Sequence, residues 1–62
     1  MQLYEETLKS PFGQVVKEDA LKILERYRRD YPVKHGWVEL DAGVSQGEDG
    51  RWYAWRHHQK YE

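Results

Sequence analysis

The sequence contains no cysteine, and this absence removes two common ways of stabilising a small domain. Neither a disulfide framework nor a zinc site built on thiolates is possible. The lack of cysteine also fits a reducing compartment. The 62 residues must therefore be held together by packing, although a chain of this size buries only about 60% of the surface that its unfolded form exposes.

Long apolar runs are also missing. The segment MQLYEETLKS contains acids and no continuous apolar stretch, so we expect neither a secretory signal nor a membrane anchor, and we expect a cytoplasmic protein. Ten Lys and Arg residues against eleven Asp and Glu residues give a net charge of −1. Any attraction to nucleic acid must therefore come from an uneven distribution of charge.

Aromatic residues, in contrast, are abundant, and three Trp, five Tyr and one Phe make up 15% of the chain. Each large aromatic side chain can bury about 150–250 Å². This content partly offsets the small size of the chain, because a core of this size supplies only about 3–5 kcal/mol.

Residues 15–31 (VVKEDALKILERYRRDY) have the spacing of an amphipathic helix. Apolar residues recur at steps of three and four and form one stripe, which consists of Val16, Ala20, Ile23, Leu24, Tyr27 and Tyr31. Pro32 ends the helix at Tyr31. A helix this short is marginal in water, so another element must cover the stripe.

Two strands and a turn follow the helix. Residues 36–42 alternate, which predicts Val38, Leu40 and Ala42 on one face and Trp37, Glu39 and Asp41 on the other. The dipeptide Asp49-Gly50 is the strongest hairpin signal, and residues 51–57 form the predicted return strand. We expect Trp52 and Ala54 to face the helix and residues 57–62 to form a frayed tail.

The first nine residues fit either a helix or a strand. Leu3, Tyr4 and Leu8 have helical spacing, and neither strand face is cleanly apolar, so we favour a short helix. The alternative strand would give a three-stranded β-α-β-β sheet. The predicted fold is thus a single α+β domain over residues 1–62, with a short N-terminal element and one long amphipathic helix packed on a C-terminal antiparallel β-hairpin.

In this topology, basic residues gather at one pole of the domain. The helix C-terminus and the end of the return strand meet there, which predicts a nucleic-acid-binding site composed of Arg26, Arg29, Lys34, Arg56 and Lys60. Such a site would hold phosphates, and the histidines His35, His57 and His58 would add charge at low pH. Basic residues at the end of a helix also interact favourably with its dipole, which is the simpler interpretation of the arginines in the helix.

The hairpin leaves one face uncovered, because a single helix covers only the other face. We expect Trp37, Tyr53 and Trp55 to lie on the uncovered face. An exposed cluster of this size is typical of an interaction surface. It would contact a protein, including a second copy of the chain, or stack on nucleic-acid bases, unless the N-terminal segment covers it.

No residue pattern indicates catalysis, a metal or a cofactor. His57 and His58 are adjacent and point to opposite faces of a strand, so three histidines do not converge. Asp41, Glu48 and Asp49 lack the spacing of a calcium loop. We therefore expect a small non-enzymatic binding or regulatory protein without a cofactor or membrane partner. Nucleic acid is narrowly the preferred partner, and the alternative is a protein-interaction or homodimerisation module.

Overall fold

The computed structural model describes residues 2–62 and contains one helix and one three-stranded sheet. The elements in chain order are β1 (Leu3–Lys9), α1 (Lys17–Asp30), β2 (Val38–Gln46) and β3 (Trp52–Tyr61). The strands lie in the order β1-β3-β2, and both outer strands run antiparallel to β3. The α+β class is confirmed, with three strands in place of a hairpin and a separate N-terminal element.

The N-terminal segment is a strand, so the favoured prediction of a short helix is wrong. β1 pairs with β3 along its whole length, from Leu3 opposite Tyr61 to Lys9 opposite Trp55. The partner lies about fifty residues further along the chain. Local periodicity carries no information about such a pairing, and the backbone hydrogen bonds to β3 decide the conformation of this segment.

The helix begins two residues later than predicted. Gln14 forms an isolated bridge with Trp52, which keeps the preceding chain extended, and Val16 takes the N-cap position with φ of −111°. Ala20 and Leu24 of the predicted stripe are buried, whereas Tyr31 is 67% exposed. The centre of the apolar stripe is therefore packed against the sheet, and its two ends, Val16 and Tyr31, are exposed.

A β-bulge in β2 changes which side chains face the helix. The register shifts between Glu39, which pairs with His58, and Asp41, which pairs with His57. Glu39 consequently lies on the helix side, while Val38, opposite Gln59, lies on the other side. The predicted alternation, with Val38 and Ala42 on one face and Glu39 on the other, is therefore wrong.

The hairpin turn is confirmed, and the frayed tail is not. Gly50 has φ of +78°, and the amide of Gly47 donates a 2.8 Å hydrogen bond to the carbonyl of Arg51. β3 then continues through Tyr61. Residues 57–61 of the predicted tail thus belong to β3. This strand is central in the sheet because β1 and β2 both pair with it.

The hydrophobic core is small. Within residues 2–62 the buried apolar side chains are those of Ala20, Leu24 and Ala54. α1 packs on β3 and β2, and it makes no comparable contact with β1. No helix in residues 2–62 is long and apolar enough to cross a membrane.

Candidate interaction surfaces of the sheet

The guanidinium of Arg56 lies between the sheet and the C-terminal turn of α1. Its side chain is only 1% exposed. Nη1 donates to the backbone carbonyls of Tyr31 at 2.6 Å and Tyr27 at 3.3 Å, and the guanidinium carbon lies 5.1 Å from the centre of the Tyr27 ring. Arg56 thus satisfies the carbonyl of Tyr31, which the end of the helix leaves without an intrahelical partner. It is a second donor to the carbonyl of Tyr27, which also accepts a hydrogen bond from the amide of Tyr31.

Glu39 is the counter-charge of Arg56. Its Oε1 accepts a 2.5 Å hydrogen bond from Nε of Arg56, and Nε2 of His58 lies 3.1 Å from the same oxygen. Its other oxygen lies 3.0 Å from Nη2 of Arg28. Burial by itself raises the pKa of Glu39, but the hydrogen bonds from Arg56 and His58 and the charges of the two arginines outweigh it, so the pKa is lowered.

Sequence reasoning missed this ionic network, although one signal for it was present. The prediction placed Trp52 and Ala54 on the helix side of the return strand. Because side chains alternate along a strand, Arg56 and His58 share that side. The predicted topology places Arg56 at the basic pole, whereas its side chain is buried and paired with Glu39.

The five predicted nucleic-acid-binding residues do not form one exposed basic surface. Arg56 is buried and is used within the protein, which corrects its predicted position. Four of the five have acidic partners within 4 Å, in the pairs Arg29–Asp30, Lys34–Glu6, Arg56–Glu39 and Lys60–Glu62. Arg26 forms no ion pair with residues 2–62 and borders a groove beside α1. The positive charge is therefore largely neutralised where it was expected to accumulate.

The predicted aromatic cluster is divided between two places. Tyr53 and Trp55 alternate with the buried residues of β3 and lie on the side away from α1. Trp37 precedes β2, and its ring lies 5.4 Å from Nζ of Lys34. Lys34 also bonds Glu6, which stands opposite His58 on the helix side. The Trp37 ring therefore lies beside Lys34, before the start of β2, and its position on the uncovered face stays a prediction.

Trp55 and Tyr53 form an aromatic area at one end of the uncovered face. Trp55 stands opposite Gly43 of β2, where an added Cβ atom would lie 3.2 Å from Cζ2 of the indole. Glycine at this position lets the indole approach the neighbouring strand closely, because a Cβ atom there would require the ring to shift by a few tenths of an ångström. The indole remains partly exposed and is therefore available for contact.

Tyr53, beside Trp55, is held by polar contacts. Its hydroxyl donates a 2.6 Å hydrogen bond to Asp49, and Nζ of Lys9 lies 4.4 Å from the ring centre. The Tyr53 hydrogen bond lowers the pKa of Asp49, helped by the amide of Arg51, and the same bond raises the pKa of Tyr53. These contacts hold the Tyr53 ring on the same face of β3 as Trp55.

The remainder of the uncovered face is polar in its middle and apolar at its far end. His57 is hydrogen-bonded to Thr7 at 3.1 Å and lies 3.7 Å from Glu5. Beyond these residues the side chains are apolar and about half exposed, at 46% for Leu3, 54% for Val38 and 61% for Tyr61. The face thus carries two apolar areas separated by a polar band that contains Glu5, Thr7 and His57.

A groove runs between α1 and β1 on the other side of the sheet. One part has a volume of about 380 Å³ and is lined mainly by apolar atoms of Pro11, Ile23, Tyr27 and Tyr31. The next part has a volume of about 300 Å³ and lies over Leu8, with the Tyr27 and Tyr31 rings again on its border. The groove exists because α1 packs on β2 and β3 and leaves β1 uncovered.

Comparisons with protein-family models, with curated proteins and with solved structures find no match for this chain. Within residues 2–62, no three His, Asp or Glu side chains are grouped so that they could hold a metal ion. The arrangement of surfaces is therefore the basis for assigning a function.

Proposed function

We propose that this chain is a small protein-binding module whose contact surface is the uncovered face of the sheet, with Trp55 as its aromatic anchor. The observation that carries the proposal is the Trp55 indole lying against Gly43 of the neighbouring strand, on the same face as Tyr53, whose hydroxyl is hydrogen-bonded to Asp49. Protein interfaces are enriched in Trp and Tyr anchors. Trp55 and Tyr53, on the uncovered face of the sheet, can serve as anchors of this kind.

The composition of the rest of the face supports a protein partner. The polar band includes the carboxylates of Glu5 and Asp41, and Lys9 lies beside the aromatic residues, so the face presents both signs of charge. Leu3, Val38 and Tyr61 add exposed apolar area at the far end. A protein surface can match such a pattern with apolar contacts and mixed ion pairs.

Nucleic acid was narrowly preferred from the sequence, and the charge distribution now favours it less. Glu6, Asp30, Glu39 and Glu62 stand beside the cations that were expected to bind phosphate. Each of these carboxylates repels a phosphate group at close range. Arg26 supports nucleic-acid binding, but a single phosphate contact supplies little affinity.

A photo-crosslinking experiment tests the proposal. With p-benzoylphenylalanine in place of Trp55, ultraviolet light should link the chain to one discrete protein in cells that express it. The same amino acid in place of Glu25, which is exposed on the outer side of α1, is the matched control and should give no such product.

The purified partner should then bind the wild-type chain, and Trp55→Ser should weaken binding by about 2 kcal/mol or more, roughly 30-fold, as expected for an aromatic anchor. Circular dichroism must show that the variant is folded. If Trp55 cross-links to DNA or RNA, or if Trp55→Ser binds the purified protein with wild-type affinity, the proposal is wrong.

A further inference from the structure

The outer edge of β1 has backbone groups that lack partners among residues 2–62. The amides and carbonyls of Gln2 and Glu62 bond to each other, at 2.7 and 2.9 Å, so the even-numbered residues of β1 direct their backbone groups at β3. Leu3, Glu5, Thr7 and Lys9 therefore direct theirs away from the sheet. Such an edge is a template for another strand.

The other edge of the sheet is protected. β2 contains the bulge between Glu39 and Asp41, and Oδ1 of Asp41 accepts a 2.9 Å hydrogen bond from the amide of Ala42. Bulges and side chains that occupy backbone donors are two ways in which proteins prevent pairing at an edge. Of the two edge strands in residues 2–62, β1 is thus the one whose free backbone groups can pair with an additional strand.

The sequence of β1 is complementary to itself around Thr7. In an antiparallel pair of two β1 strands centred on Thr7, Glu5 of each copy lies opposite Lys9 of the other. All three positions carry outward backbone groups, as an antiparallel hydrogen-bonded pair requires. Opposite charges directly across two strands stabilise the pair.

The neighbouring registers are less favourable. A pair centred on Glu5 places two Glu5 side chains opposite each other, and a pair centred on Glu6 does the same for Glu6. Like charges directly opposite are destabilising. The charge pattern therefore selects the register centred on Thr7.

We infer that a second copy of this chain binds along the free edge of β1, antiparallel and centred on Thr7, and forms a six-stranded sheet. The helices of both copies lie on the same side of this sheet, so the apolar grooves beside β1 face each other. Ile23, Tyr31 and Leu8 of both copies then line one shared cleft. The small core of the single chain is consistent with this further apolar contact.

Charge reversal tests the pairing. Sedimentation equilibrium of the wild-type chain should give twice the monomer mass. Either Glu5→Lys or Lys9→Glu alone places like charges opposite each other twice and should raise the dimer dissociation constant about tenfold or more. The double variant Glu5→Lys/Lys9→Glu restores opposite charges and should recover the dimer. A monomeric wild-type chain, or a double variant no better than the single ones, would overturn the inference.

A cysteine substitution tests the register. The Cα atoms of the two Thr7 residues would lie about 5.5 Å apart, within the range that a disulfide spans. Because the natural chain has no cysteine, Thr7→Cys should give a covalent dimer on oxidation, faster than Ser45→Cys on the exposed opposite edge. Equal rates for the two variants would contradict the pairing at β1.

The inference is independent of the proposed contact at Trp55. Trp55→Ser should leave the dimer intact, because Trp55 lies in the central strand and not at the edge of β1. Dissociation of the dimer by Trp55→Ser in a folded chain would place the interface on the uncovered face and would overturn the inference.

Discussion

The side chain of Arg56 in the central strand donates a 2.6 Å hydrogen bond to the backbone carbonyl of Tyr31 at the end of α1. The same guanidinium bonds Glu39 of β2, so one side chain joins the helix to two strands. A cation at the C-terminus of a helix also interacts favourably with the helix dipole. This charged group therefore occupies a place that a large apolar residue takes in many small domains.

The substitution Arg56→Met should unfold the domain or come close to doing so. It leaves Glu39 without its main partner and the carbonyl of Tyr31 without a donor. Removing one member of a buried ion pair costs about 3–5 kcal/mol, which equals what a core of this size supplies. Urea denaturation followed by circular dichroism measures the loss.

The matched control for that substitution is Arg29→Met. The Arg29 side chain is 75% exposed and pairs only with the neighbouring Asp30. Exposed pairs contribute about 0–1 kcal/mol, so the urea midpoint should hardly move. Similar midpoints for the two variants would mean that the contacts of Arg56 do not stabilise the fold.

Acid should destabilise the protein through Glu39. The folded-state pKa of this carboxyl lies below its ordinary value of 4.5, so below pH 4.5 the unfolded state binds the proton more readily. The stabilisation is complete above pH 4.5 and is lost as the pH falls through the lowered pKa. Thermal unfolding from pH 6 to pH 2 in wild type and Glu39→Gln measures this dependence.

Glu39→Gln should be less stable at pH 6 and should lose less of its stability on acidification. Glu25→Gln, on the exposed side of α1, should keep the pH dependence of the wild type. If Glu39→Gln and wild type lose stability in parallel as the pH falls, the network around Glu39 has been assigned wrongly.

Two leucines of α1 should respond very differently to truncation. Leu24 is 8% exposed and Leu21 is 44% exposed. Leu24→Ala should cost about 2–5 kcal/mol, because it removes buried methyl groups and leaves a cavity. Leu21→Ala removes less buried surface and should cost under about 1 kcal/mol. Equal losses in urea denaturation would show that the orientation of the helix is wrong.

The helix and the hairpin turn could be predicted because their signals are local. The stripe through Ala20 and Leu24 repeats with the helical period, and Gly50 supplies the positive φ that the turn needs. Local alternation also predicts which side chains of the return strand face the helix, and it correctly places Ala54 and Trp55 on opposite faces.

The strand β1 and the ionic network could not be predicted in the same way. Leu3–Lys9 is a strand because a distant segment pairs with it, and that pairing has no local pattern. The bulge after Glu39 moves a charged residue to the helix side, where Arg56 and His58 stabilise it. The energy of such a contact depends on Arg56 and His58, which lie 17 and 19 positions after Glu39 in the sequence.

The strand order has a consequence for folding during synthesis on the ribosome. β1 and β2 both pair with β3 and not with each other, and β3 follows them in the chain. Until β3 has been translated, neither earlier strand has a neighbour, and α1 lacks Arg56 at its C-terminal end. Chains grow at about 5–20 residues per second, so the sheet assembles in one late step once β3 is available.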